Sequence, residues 1–249
     1  AGVAIATVVS QYLALALVLV CLMRLEGCAQ LELKKLRFYP DEALRMIQIG
    51  LPAGLQSVIF NISNVMIQSS INSFGADVVA ANTAAGNLDS FIYTACNSVY
   101  HASMTFTSQN LGAGKPERAA QTLKYAAMIA TGYGIAVVLV IELVAEPLLG
   151  CFTTDAAVVL MGCQYIRGYI VDTIFAGIHF SFTGYFAACG KSYIGFLHNI
   201  IAIVLVRVPG SYLASRLFAG TLLPMGLAAP AGSLLSVMIC VAAYRWMKR

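Results

Sequence analysis

Long apolar stretches separated by short polar ones set the pattern of this chain. Residues 1–23 carry no charged side chain, and neither do 46–76, 90–114, 125–141, 173–190 and 217–244. Most of these runs reach or exceed the roughly 20 residues a helix needs to cross a bilayer. The alternation of a membrane barrel strand is absent, and unpaired backbone groups are too costly in hydrocarbon for any open structure other than a helix. The pattern predicts seven helices, near 1–24, 44–74, 78–110, 116–148, 157–188, 192–216 and 223–247. Several are longer than about 25 residues, which predicts tilt or protrusion beyond the lipid. The expected fold class is all-α: a polytopic membrane helix bundle with seven transmembrane helices.

Composition sharpens this picture. The chain is 59% hydrophobic and 10% charged, with a mean hydropathy of +0.80. A soluble domain carries about 25% charged residues, so this surface is one that lipid, not water, must cover. Charge position then gives an orientation. Arg24, Lys34, Lys35, Arg37 and Arg45 fall in the first connection, Lys115, Arg118 and Lys124 in the third, Lys191 in the fifth, and Arg245, Lys248 and Arg249 at the C-terminus. The other side has Arg216 alone, with Asp77 and Asp155. This bias places the odd connections and the C-terminus in the cytoplasm, in a multi-pass protein of the plasma (inner) membrane. The basic residues form no patch interleaved with aromatics, so no nucleic-acid partner is expected. Cysteines 21, 28, 96, 151, 163, 189 and 240 show no CxxC or metal spacing, and in apolar runs they act as small hydrophobes. No metal or cofactor is expected beyond a coupling ion.

Two Gly–Lys pairs invite a phosphate-loop reading, and both fail it. A Walker motif needs GxxxxGK followed by Ser or Thr. In TSQNLGAGKPERA (107–119), Gln109 holds the first Gly position and Pro116 follows the Lys. In GYFAACGKS (184–192) five residues, not four, separate Gly184 from Gly190. Gly112 and Gly114 read instead as a helix stop, with Pro116 and Glu117 opening the next helix.

The first span contains GVAIATVVSQ and the last GLAAPAGSLLSV. They align with two residues inserted, as the closing helices of two repeats would; secondary transporters are often built from such repeats. The stretches IGLPAGLQ (49–56), TSQNLGAGKPERAAQ (107–121), FTGYFAACGKSY (182–193) and VRVPGSYLASR (206–216) resemble, in their order and at helix ends, the multidrug and toxic compound extrusion (MATE) family. The resemblance implies two six-helix lobes related by a pseudo-two-fold axis. Residues 1–24 would be the final helix of a truncated N-terminal lobe, 25–43 a cytoplasmic inter-lobe linker, and 44–249 a six-helix C-terminal lobe. It further implies export of drugs or other cationic or amphipathic compounds in exchange for Na⁺ or H⁺, with the missing N-terminal lobe and membrane lipid as partners. Two departures stand out. Some members carry a membrane-embedded acid where the IFN stretch here has Asn61, and another roughly where Ala176 stands, with Asp172 one turn earlier. Their cation site in this lobe does not carry over intact.

Several polar residues inside the spans are candidates for the substrate or ion pathway. Ser57, Asn61, Asn64 and Gln68 recur at i, i+4, i+7 and i+11, one stripe along a helix that lipid would penalise at every step. Asp89, Tyr93, Asn97 and Tyr100 form a second stripe. Asp172 lies near the middle of the expected fifth span, with His179 two turns on along the same face; an ionisable group there marks function by default. Interhelical hydrogen bonds, or an ion pair with Arg167 or Arg207, are the structural alternatives. Pro52, Arg207 and Pro209 are structural or gating candidates, because a proline frees a carbonyl one turn earlier and permits a bend.

The expected function is secondary active transport, not catalysis: HExxH, GxGD and aspartate-rich diphosphate motifs are absent. A lipid-linked polysaccharide flippase of the same superfamily is the alternative among transporters. A seven-helix receptor is the alternative from another class; a retinal pump would need a mid-span Lys in the last helix, which has Lys248 only at its end.

Overall fold

The computed structural model describes residues 2–27, 30–33, 37–72, 75–218 and 221–248. Cys28, Lys34, Lys35 and Arg249, and the end residues 1 and 73–74 of two expected helices, lie outside them. The chain divides into two compact units, Ala1–Arg45 and Met46–Arg249. In the first, α1 (Gly2–Arg24) is apolar along its length and ends on Arg24. An exposed Arg45–Glu42 contact of 3.6 Å lies in the first turns of α2 (Pro40–Asn72), whose residues from Met46 onward belong to the second unit.

The second unit continues with α3 (Ala76–Gly112), α4 (Pro116–Gly150), α5 (Ala156–Ile170), α6 (Asp172–Ala188) and α7 (Ser192–Ala202). A π turn (Ile203–Arg207), α8 (Val208–Leu217), α9 (Leu223–Gly226) and α10 (Ala228–Met247) follow. Grouped across short interruptions, the described helices of this unit make six of the expected spans, and α1 is the seventh. Five of them are long and apolar enough to cross a membrane by length and composition. The other two are α3, diluted by Asn82, Asn87, Asp89 and Asn97, and the α5–α6 pair, split into pieces of 15 and 17 residues. These two hold the acids Asp89 and Asp172, so polarity is concentrated in two spans.

Three spans are broken into separate helices and a fourth is kinked, and three of the causes are prolines. Pro147 deprives the Leu143 carbonyl, and α4 kinks at Val144 (φ −126°, ψ 22°). Pro209 has no N–H for the Leu205 carbonyl, and the helix answers with a π turn closed by Val208 N donating to Ile203 O. Pro230 likewise deprives the Gly226 carbonyl, and the last span breaks at Leu227. The expected single helix 157–188 also breaks, at Val171, where Ile174 N closes a tight turn onto Val171 O at 3.3 Å. No proline explains that break. Its result is that Asp172 sits in the first turn of α6 and not in the middle of a helix, beside the positive helix end.

The turns at 113–115 and 189–191 are one motif used twice. Gly114 (φ 68°) and Gly190 (φ 72°) adopt the left-handed conformation. Gly114 N donates to Leu111 O and Lys115 N to Asn110 O; Gly190 N donates to Ala187 O and Lys191 N to Phe186 O. This is a Schellman cap, in which glycine carries no Cβ penalty. Both Gly–Lys pairs are helix stops, as read from sequence for Gly114 and found here for Gly190 as well.

Packing of the unit rests on small residues. α6 lies against α3, α4, α7 and α10. A Cβ on Gly134 would meet Ile174 Cα at 2.8 Å, one on Gly177 the Ala130 Cβ at 2.8 Å, and one on Gly184 the Tyr100 carbonyl at 2.9 Å. Apolar attraction between helices is weak in lipid, so such close approach, with its dispersion contacts, holds helices together. An apolar core of Ala84, Ala85, Ile92, Ile141, Ile166 and Ile170 joins α3, α4 and α5.

Candidate functional site

The interrupted spans meet. A Cβ on Gly168, near the end of α5, would lie 3.3 Å from Leu227 N, and one on Gly232 of α10 would lie 3.4 Å from Arg207 Cβ. Around this crossing lie two cavities with polar side chains in their walls. The larger, of about 330 Å³, is walled by α2, α3, α6, α7, the π turn and α10. The smaller, of about 180 Å³, lies between α2, α3, α5 and the π turn. Arg207 borders both.

The candidate residues divide between them. Asn61, Tyr93, Asn97, Asp172 and His179 line the larger cavity; Asn64, Gln68 and Asp89 line the smaller. Each stripe read from the sequence therefore runs past both chambers: Ser57 and Asn61 face one and Asn64 and Gln68 the other, while Asp89 is separated from Tyr93, Asn97 and Tyr100. Pro52 and Pro209 line neither. Pro52 deprives the Gln48 carbonyl of its helical partner, and beside it Ser192 Oγ at the start of α7 donates to Ile49 O at 2.9 Å.

Asp172 is 4% exposed. Tyr93 OH donates to its Oδ2, while Oδ1 has no hydrogen-bond partner among the described residues. The carboxylate is thus held firmly on one oxygen, and the Ser233 hydroxyl in the same wall is close enough to act on the group as a second donor. A buried carboxylate in this state can accept a proton or a small cation and release it again. Asp89 also has an unpartnered Oδ1. Gln68 bridges α2 and α3, accepting from Asn82 Nδ2 at 2.9 Å and donating to Asn72 Oδ1 at 2.9 Å.

The ion pairs considered from sequence do not form around Asp172. Arg167 Nε lies 3.6 Å from Glu142 Oε2, tying α5 to α4. No carboxylate among the described residues lies within 4.0 Å of Arg207. Its Nη2 donates instead to Asn64 Oδ1 at 3.0 Å, and its Cζ stands 4.5 Å above the Phe60 ring.

Sequence reasoning missed His198, which had no partner at ligand spacing. It is fully buried, its ring 5.6 Å from that of His179. Thr183 Oγ1 donates its one proton to His179 O at 2.8 Å and lies 3.1 Å from His198 Nε2. Thr183 must therefore accept at that second contact, so neutral His198 carries its proton on Nε2. The aromatic walls were missed as well: Phe180 meets Tyr93 edge-on at 6.1 Å and Tyr100 at 6.4 Å. A lone Phe in an apolar run gives no sign that it faces a cavity. Asn199, by contrast, is a polar side chain in an otherwise apolar stretch, and it lines the larger cavity.

The sequence profile of the MatE family matches residues 52–213. The probable multidrug resistance protein YpnP of Bacillus subtilis is 25% identical over 175 residues, covering 70% of this chain and 39% of that protein. An FAD transporter of Shewanella oneidensis is 27% identical over 223 residues, covering 85% of this chain and 48% of the relative. Among solved structures, a mutant of the Vibrio cholerae MATE transporter VcmN superposes with a TM-score of 0.78 at 19% identity, over 84% of this chain and 48% of that one. The chain thus spans half or less of the length of these three proteins.

Proposed function

Because the chain belongs to the multidrug and toxic compound extrusion family, whose members are membrane transport proteins, we propose that it forms the C-terminal lobe of a secondary active efflux transporter. On this reading the larger cavity is one half of the transport path. It exports drugs or other cationic or amphipathic compounds against an inward flow of Na⁺ or H⁺, with no cofactor besides that ion. The observation that carries it is Asp172: an acid 4% exposed, at the break of a span, in the wall of a chamber large enough for a small drug. Binding sites at broken helices are a common device of secondary transporters.

The lobe completes its cavity against a second six-helix lobe, the N-terminal one of the same transporter. Residues 1–249 alone are expected to leave ethidium efflux from cells at background, and co-expression of the N-terminal lobe to restore it. Robust efflux by residues 1–249 without that lobe, and without a crosslinkable homodimer, overturns the two-lobe reading.

On this reading the basic turn at 113–115 and the basic C-terminus face the cytoplasm, from a span in the plasma membrane; the excess of Lys and Arg on that side supports it. In a cysteine-depleted background, Glu117→Cys should be protected from an impermeant thiol reagent added outside, while Asp155→Cys should react. The opposite labelling reverses the orientation.

A further inference from the structure

Arg207 is a cation buried without a counter-ion in contact. It is 8% exposed, yet of its five N–H donors one is used, toward the amide oxygen of Asn64. Nε has no partner, and neither has Nη1 among the described residues. A buried guanidinium is ordinarily paired with a carboxylate. Two acids are at hand in the adjoining chambers, and neither is within 4.0 Å: Asp172 is held by Tyr93, and Asp89 lies in the smaller chamber. The groups that do hold Arg207, an amide and a phenyl ring, are neutral. They fix its position and leave its charge uncancelled by contact.

The geometry also selects how a ligand would approach. Phe60 covers one face of the guanidinium, so the open approach is along its edge, the direction in which a planar fork binds two oxygens of one anion. Arg207 borders a chamber of about 330 Å³ whose other walls include the rings of Tyr93, Tyr100 and Phe180, while Nη2 is turned to Asn64 of the smaller chamber. From this we infer that the larger cavity binds aromatic oxyanions, compounds with a carboxylate, sulfonate or phosphate on a ring system, with the oxyanion on Arg207 and the ring among these aromatics. The inference rests on the transport reading above for the cavity's purpose, and extends its substrates from cations to anions.

The test uses residues 1–249 in lipid nanodiscs, with empty nanodiscs as the blank. Calorimetric titration compares 2-naphthalenesulfonate with the neutral 2-naphthalenesulfonamide, which has the same ring system. The sulfonate is expected to bind about tenfold tighter or more, the gain of a charge-assisted bidentate contact. Arg207→Gln should erase that preference and leave sulfonamide binding within about twofold. Arg207→Lys, which keeps charge and bulk but not the fork, should weaken the sulfonate about fivefold or more and serves if the Gln variant fails to fold. Equal binding of the two probes to the unaltered chain overturns the inference, as does an unchanged sulfonate affinity in the Lys variant. Ethidium efflux by the two-lobe transporter without sulfonate binding defeats this inference alone. Sulfonate binding without any efflux defeats the transport reading alone.

Discussion

Replacing Asp172 with Asn is expected to bring ion-driven ethidium efflux by the two-lobe transporter down to the level of transporter-free vesicles. Abundance in the membrane should stay near that of the parent. Asn keeps the shape of Asp and can still accept from Tyr93 OH, so the local packing survives. What it lacks is the capacity to switch between a charged and a neutral state, which an exchanging group needs. The rival role, a structural counter-charge to Arg207, predicts a different outcome. Removing the acid would then strand Arg207 and destabilise the protein, and a second change, Arg207→Gln, would restore both abundance and efflux. The guanidinium, held by Asn64 and Phe60 with no carboxylate within 4.0 Å, favours the first outcome. Recovery of efflux in the double variant excludes Asp172 as the coupling group.

Gly226→Ala is expected to lower stability sharply, although it adds one carbon. That carbon would stand 2.6 Å from Tyr165 O, 3.0 Å from Tyr169 N and 3.3 Å from the carbonyl carbon of Gly168. All three neighbours are backbone atoms, so no side chain can swing aside. The reciprocal position is as tight, since a Cβ on Gly168 would meet Leu223 O at 2.7 Å. Overpacking of this kind costs about 1–3 kcal/mol, and here the strain falls on two main chains at once. In a chain of this size each kcal/mol moves the melting midpoint by roughly 2–4 °C. Gly132→Ala is the control: a Cβ there meets nothing within 4 Å, and Ala is the better helix former by about 0.8–1 kcal/mol. Thermal melting of the two variants in one detergent decides the matter, and equal midpoints refute the crossing as a point of strain.

The spans were legible because long charge-free runs recur along the chain between short polar turns, and the caps because Gly, Lys and Pro carry local rules. Interruptions were legible only in part. Pro209 and Pro230 announce theirs, whereas the break at Val171 has no local signal, so Asp172 was expected within a helix and stands at the start of one. The candidate site was half legible for a similar reason. Periodicity tells which residues share a face of one helix, as with Asn61 and Asn64. It does not tell how deep each stands against its neighbours, so two stripes that looked like one wall line two chambers. Arg207 depends on the same missing depth information: nothing near it in sequence indicates that Asn64, 143 residues away, is its partner.

The paired Gly–Lys caps bear on how this unit can deform. With only residues 113–115 between α3 and α4, and 189–191 between α6 and α7, each turn works as a stiff elbow. A non-glycine residue at its left-handed position would add about 1–2 kcal/mol of strain, and two cross-turn bonds pin it. Tilting one arm drags the other. The compliance lies elsewhere, at Val144, Val171, the π turn and Leu227, where the spans depart from a continuous α-helix. A load applied at the elbows is therefore transmitted almost without loss and taken up at the level of Asp172 and Arg207, where a small bend does most to reshape the chambers.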